Sequence, residues 1–512
     1  VMIVFDELPT VSLMNSDGVI DPDLYPNFAT LAEDGGWYRN HTTVAPQTLK
    51  AVPAMMTGAV PTGKYALPVS GAYPDNLFTL LGGAYDLNVN EQVAALCPDN
   101  LCTDDAVSRE SAGRLVREAA DHWKVMVKPE ALSQSPLPEV RNYFASYRME
   151  GARTFIDGLS ATKDPGLDFL HVVLPHQGFE YLPDGTRYDA PATPEGTWLS
   201  GWFGEEIAAA ARQRHLLQTQ YTDAVLGQVL DRLRELDRYD RSLIVVTADH
   251  GASFRATNSF RGVTAENYPD IVWTPLIVKQ PGQRTGAVID EPVRTVDIVP
   301  TIADVLDVDV PWELDGQSLL EPIRRTNDDE LRVGRWAENV LQPPRGEDVL
   351  ILDGERGFRE VLRSRLPNEG DDSDLRLYRL EPYGGLVGQR LDDLDVGRRP
   401  EFEGRLDRPG AYRNVDLGGK RLPVYVSGTV EATGAPSRAV AVSVNGVVGG
   451  WGRAYYPAYF PSDEEREPGL HVRRFWAMVP PSLLRDGENE IELHLVEGEP
   501  GSERLEPIRL PG

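Results

Sequence analysis

The sequence predicts an α/β protein: a three-layer α/β/α sandwich around a mostly parallel sheet, followed by a C-terminal β-sandwich. Three observations predict it. Short β-branched runs alternate with helical patterns over the first two thirds, as in parallel sheets. Beyond about Pro409 the pattern becomes closely spaced strands joined by turn signals. A length of 512 residues accommodates more than one domain. The predicted divisions are a catalytic-type domain at 1–325, a mixed connecting region at 326–409, and an accessory β-sandwich at 410–512.

Strands are predicted at Met2–Phe5, Asp168–Val173, Ser242–Thr247 and Thr274–Val278, each a short run ended by turn or polar residues. Helices are predicted at Val140–Leu159, from apolar residues at mixed three and four spacing, and at Glu205–Leu236, with one broad Leu/Val face. The polar stretch 368–374 reads as a solvated loop. In the last hundred residues, strands are predicted at 422–428, 439–444, 471–479 and 489–496, with Asn445-Gly446 and Asp486-Gly487 as hairpin turns.

Lys and Arg total 51 against 79 Asp and Glu, a net charge of −28. That balance excludes nucleic acid as a main partner. No apolar run reaches the ~18 residues of a membrane span. Cys97 and Cys102 lie in a polar, Asp-rich loop, so they are expected to pair as a disulfide, pointing to an exported protein. The chain opens directly on a buried strand. It is therefore expected to be a piece of a longer protein whose missing part carries targeting or membrane information.

Two residue pairs carry the chemistry. Asp6-Glu7 and Asp249-His250 each follow a predicted buried strand. Ligands of parallel α/β sheets bind just beyond the carboxyl ends of strands, so neighbouring strands would bring three carboxylates and an imidazole together. Such a donor set suits one divalent ion: Mn²⁺, Zn²⁺, Mg²⁺ or Ca²⁺. Thr48, before a predicted helix, would alone read as a helix cap. His215 could face the site or solvent. His171, inside a strand, reads as a core histidine. Trp451, Tyr455, Tyr456, Tyr459 and Phe460 read as core or docking residues, with a carbohydrate platform as the alternative.

Several motifs then occur in one order: Tyr25-Pro-Asn-Phe-Ala-Thr-Leu-Ala-Glu-Asp-Gly-Gly36, Gln47-Thr48 through Thr57-Gly58, Leu174-Pro-His176, Thr247-Ala-Asp-His-Gly251 and Thr295-Val-Asp-Ile-Val-Pro-Thr301. Over about residues 1–320 the chain resembles the sulfatase branch of the alkaline phosphatase superfamily. The resemblance implies that superfamily's fold, Thr48 at the nucleophile position at a helix start where amide N–H groups favour an anion, and a metal held by Asp6, Glu7, Thr48, Asp249 and His250. With it come Lys50 and Arg261 as the candidate cations for the anionic group, and His176 to contact that group or protonate a leaving group. Lys50 and Val52 stand where sulfatases carry the Pro and Arg read during formylglycine maturation. The Thr resembles instead that of lipoteichoic acid synthases and lipid A phosphoethanolamine transferases. This implies a phosphate ester cleaved through phospho-Thr48, an envelope substrate linked to lipid or glycan, and a parent protein anchored at the extracytoplasmic face of the membrane. A sulfate-ester hydrolase with an unmodified Thr, and a non-catalytic envelope-binding module, remain the alternatives.

Overall fold

The protein is described by a computed structural model. It describes residues 1–60, 66–102, 149–161, 165–191, 197–198, 201–202, 204–256, 258–326, 330–334, 349–400, 402–431, 439–455 and 472–511.

The first part is built on seven strands: β1 (Met2–Asp6), β2 (Gly36–Tyr38), β3 (Asp86–Glu91), β4 (Gly166–Pro175), β5 (Ile244–Ala248), β6 (Leu276–Lys279) and β7 (Ala287–Ile289). Their order is β7-β2-β6-β5-β1-β4-β3. Only β6 runs antiparallel to its neighbours, so the sheet is mostly parallel. Strand β1 lies at the centre between β5 and β4, which brings the two predicted carboxylate-bearing strand ends side by side.

Alternation along β1 divides the core into two layers. Ile3 and Phe5 pack with helix α1 (Pro26–Asp34), helical residues 149–158 and the long helix α3 (Glu205–Glu235). Met2 and Val4 face helix α2 (Thr48–Thr57) and helix α4 (Ile298–Leu306). Residues 140–148 of the predicted Val140–Leu159 helix lie outside the described residues. Cys97 and Cys102 form the expected disulfide.

The C-terminal part is one eight-stranded sheet: β8 (Asp395–Val396), β9 (Phe402–Leu406), β10 (Tyr425–Glu431), β11 (Ala439–Val444), β12 (Val447–Arg453), β13 (Val472–Met478), β14 (Ile491–Glu497) and β15 (Arg504–Arg509). Its path is β12-β11-β14-β15-β9-β10-β13, with β8 beside β15. The sheet curls until its edges meet, giving a nearly closed barrel-like sandwich. Gly450 and Gly452 of β12 allow that approach, since a Cβ there would stand 2.2 and 1.9 Å from the carbonyl oxygens of Met478 and Trp476.

This barrel docks on α3. Arg214 of that helix is fully buried, with its guanidinium 5.0–5.8 Å from the rings of Phe179, Tyr188, Tyr425 and Trp476. Two of those rings belong to the first part and two to the barrel. Arg214 Nη2 donates to the Phe179 carbonyl at 2.7 Å. Trp451 is buried and donates to the Leu380 carbonyl at 2.7 Å, a docking contact. Tyr456, Tyr459 and Phe460 lie outside the described residues. Arg214→Ala removes four ring contacts and leaves a cavity, and is expected to cost about 3 kcal/mol, read as a fall in Tm.

Candidate metal centre and its surroundings

The site lies at the carboxyl end of β1. The register of β1 against β4 shifts between Phe5 and Asp6. Glu7 then takes a left-handed backbone, φ 62°. That conformation costs a β-substituted residue about 1–2 kcal/mol. Here the irregular turn accompanies two consecutive buried carboxylates that join one cluster. On the neighbouring strand, β5 ends at Ala248, and Asp249 and His250 follow, both buried. Gly251 must be small: its amide donates to the Ile271 carbonyl at 2.8 Å, and a Cβ would meet the Asp270 carbonyl at 2.2 Å.

Asp249 Oδ1 accepts from the amides of His250, at 2.6 Å, and Glu7, at 3.3 Å. His250 Nδ1 lies 2.9 Å from the Gly251 carbonyl, which requires the proton on Nδ1 and leaves Nε2 as a lone-pair donor. Nε2 stands 3.9 Å from Asp6 Oδ1 and 3.6 Å from Asp249 Oδ2. Thr48 Oγ1 is 3.4 Å from the same nitrogen. Gln47, not Thr48, is the N-cap residue of α2, and its side chain makes no capping bond.

Donor atoms of Asp6, Glu7 and His250 lie within 4.8 Å of one another, and so do those of Asp6, His171 and Asp249. Asp6 Oδ1, Asp249 Oδ2 and His171 Nε2 are buried without hydrogen-bond partners. Buried polar atoms are almost always paired, so three converging orphans fit a cation. Burial, then the nearby Asp249 and Glu7 carboxylates, hold the Asp6 carboxyl well above its ordinary pKa. Glu7 goes the other way. Burial alone would raise it, but the Arg261 guanidinium, His176, His250 and the Gln177 amide outweigh that, and its pKa falls to about 2.

Arg261 pairs with Glu7, and its Nη2 donates to His176 Nε2 at 2.6 Å. His176 Nδ1 faces the Gln177 carbonyl at 2.9 Å, and Nε2 lies 3.7 Å from Glu7 Oε1. Thus Thr48, Asp6, Glu7, Asp249, His250, His176 and Arg261 are joined in one set of contacts. Lys50 is half-buried on the first turn of α2, two residues beyond Thr48, and makes no ion pair among the described residues.

Helix α3 holds the surrounding loops. The Gln218 side chain donates to the carbonyls of Pro175 and His176, at 3.1 and 3.0 Å, and accepts from the Glu180 amide at 3.0 Å. His215 is buried, 3.0 Å from Ser12 Oγ, and burial pushes its pKa down to about 3. His41, also buried, is pushed down to about 4 by burial. Both folded-state values lie below the ordinary ~6.5, so the unfolded chain takes up protons first. Their stabilising contribution is full above about pH 6.5 and is lost as pH falls towards those values. Between about pH 7.5 and pH 5, the fall in Tm is expected to be shallower in a His41→Gln/His215→Gln variant than in wild type.

Sequence reasoning treated His171 as a core histidine. It is fully buried, but Nδ1 is 2.6 Å from Glu91 Oε1 and Nε2 points into the second trio. Burial would lower its pKa, but the Glu91 carboxylate outweighs burial and raises it to about 9. The missing signal was strand register: Val4, His171 and Glu91 form one row across β1, β4 and β3.

Among curated relatives, the ulvan-active sulfatase of Formosa agariphila is 23% identical over 224 residues, 41% of this chain and 43% of that protein. Human arylsulfatase K is 30% identical over 145 residues, 28% of this chain and 26% of that protein. The matched stretch spans less than half the length of either. A solved phosphonate monoester hydrolase from Silicibacter pomeroyi aligns over 65% of this chain and 79% of its own, at 18% identity and a TM-score of 0.45. The sulfatase family profile matches residues 12–308. Because that match runs from the loop after β1 to just past α4, more than half of its length, the chain belongs to the sulfatase family.

Proposed function

We propose that the chain is a metal-dependent hydrolase or transferase that cleaves a phosphate ester through a covalent intermediate on Thr48. The observation that carries this reading is the 3.4 Å approach of Thr48 Oγ1 to His250 Nε2 at the start of α2. A divalent ion held by Asp6, Glu7, Asp249 and His250, with Thr48 as the further ligand, would supply the Lewis acidity that makes a hydroxyl nucleophilic near neutral pH.

The chain's own residues do the rest. The free amide N–H groups of the first turn of α2 favour the tetrahedral anion. Arg261, steadied by His176, neutralises charge on its oxygens, and Lys50 adds a second cation from the same turn as Thr48. The Thr48 Oγ–phosphorus bond forms as the ester O–phosphorus bond breaks. The Thr48 proton is released, and the departing alcohol takes up one from solvent. Attack by water then frees inorganic phosphate and restores the hydroxyl, so one water is consumed per ester cleaved. An acceptor hydroxyl in place of that water makes the reaction a transfer.

The resemblance to lipoteichoic acid synthases and phosphoethanolamine transferases supports an envelope lipid or glycan as the carrier of the ester, met at the extracytoplasmic face of the membrane. No described helix is long and apolar enough to cross a membrane. Family membership and the two sulfatase relatives favour a second reading, sulfate-ester hydrolysis by the same unmodified Thr48. Ester panels with an isotopic label in the acid group test both. Label on the peptide carrying Thr48 is expected from the phosphate series; label from the sulfate series alone selects the second reading. No label from either, with no turnover, overturns both in favour of a binding module.

A further inference from the structure

The loop that carries Arg261 is folded around one buried side chain, Asn267, which has no part in the chemistry proposed above. Asn267 directly precedes the short helix Tyr268–Val272 and is fully buried. Asn commonly caps a helix from that position. Here its side chain makes no capping bond and turns back on the loop instead. Nδ2 donates to the carbonyls of Ser259, at 2.8 Å, and Gly262, at 2.9 Å. Oδ1 accepts from the Thr264 amide at 2.7 Å, and the Thr264 hydroxyl lies 3.0 Å from it.

Those contacts admit one orientation of the side-chain amide. Two carbonyls need donors and a backbone N–H needs an acceptor, so the nitrogen must face the carbonyls. Asp would set a carboxylate oxygen against two carbonyls, and Leu would supply neither donor nor acceptor. The two carbonyls flank Phe260-Arg261, so the clasp closes on both sides of the arginine. The Gly262 amide donates to Ser259 Oγ at 2.8 Å and tightens the same turn.

Arg261 needs such a hold. Its guanidinium stands at the end of a flexible stem, 26% exposed, between Glu7 and His176. A shift of about 1 Å in a group that meets a reacting anion can cost about 10²-fold.

We propose that Asn267 is a positioning residue for Arg261: its amide fixes the backbone on either side of the arginine, so that the guanidinium meets an oxygen of the ester anion. The inference rests on the reading of Arg261 as the cation that neutralises that anion, and adds the residue through which the loop holds it.

The test is a double-mutant cycle on the full chain saturated with Mn²⁺, read as binding of radiolabelled inorganic phosphate by equilibrium dialysis. Arg261→Gln is expected to weaken phosphate by about 10–100-fold, through loss of a charge-assisted contact. Asn267→Ala is expected to weaken it by about 10-fold or more, and to have no further effect in the Arg261→Gln background. A residue that served the fold alone would weaken binding by the same factor in both backgrounds. That result, or a folded Asn267→Ala with wild-type affinity, overturns the inference and leaves the reading of Arg261 standing. An Arg261→Gln variant that binds as wild type does, or a wild type that binds no phosphate, overturns that reading and the inference with it. Should Asn267→Ala fail to fold, Thr264→Val takes its place: it loses the hydroxyl beside Oδ1, keeps the amide bond, and is expected to weaken phosphate by about 2–10-fold. No loss, or an equal loss in both backgrounds, then overturns the inference.

Discussion

Thr48→Ala is expected to lower kcat on the preferred ester by about 10³-fold or more, with Tm close to wild type and metal still bound, more weakly, by the four remaining ligands. The stability half follows from geometry. Thr48 is half-buried and does not cap α2, and among the described residues its hydroxyl contacts only His250 Nε2, at 3.4 Å. Removing it therefore breaks no buried hydrogen-bond network, and Ala is a better helix former than Thr. Thr48→Ser is expected to retain turnover, because it keeps the oxygen and loses only a methyl group. If Thr48→Ala matches wild type in kcat, the proposed covalent route is wrong, whatever the metal content.

Asp6→Asn is expected to produce effects of opposite sign with and without metal. Asp6 is buried beside Asp249 and Glu7, and its Oδ1 has no hydrogen-bond partner. In chelated protein the substitution removes a buried like-charge contact, so Tm should rise, by an amount equivalent to about 1–3 kcal/mol. With Mn²⁺ in excess the order should reverse. Wild type gains about 2.7 kcal/mol at a hundred times its Kd, whereas the variant loses the donor that both trios share. Activity should fall with the metal. The measurement is thermal melting of both proteins in chelator and in Mn²⁺. An equal metal-dependent shift in the two would remove Asp6 from the ligand set.

Much of this site was legible before any coordinates. The pairs Asp6-Glu7 and Asp249-His250 could be found because each follows an unmistakable buried strand, and the carboxyl ends of parallel strands are where ligands gather. Thr48 was found through its motif, since a lone Thr before a helix usually reads as a cap. What escaped was information held only in strand register. Strand β3 is polar and only partly buried, Asp-Leu-Asn-Val-Asn-Glu, and lacks the apolar run that marks an interior strand. Without β3 there is no Glu91 beside His171, and without that partner His171 looks like one more core residue of β4. The short strands β2 and β7 escaped for a related reason: three residues carry too little pattern to be read. Arg261 was identified as a cation, but its contacts with Glu7 and His176 could come only from the folded loop.

Helix α3 grips the barrel through Arg214, and within the next turn it fastens the Ser12 turn through His215 and the His176 segment through Gln218. One rod thus serves as both mooring post and site frame. Swapping the C-terminal module for that of another protein would therefore be no neutral exchange of tails: unless the newcomer brought its own aromatic sleeve for Arg214, the slack would travel one turn along the rod to the residues that steady the candidate centre.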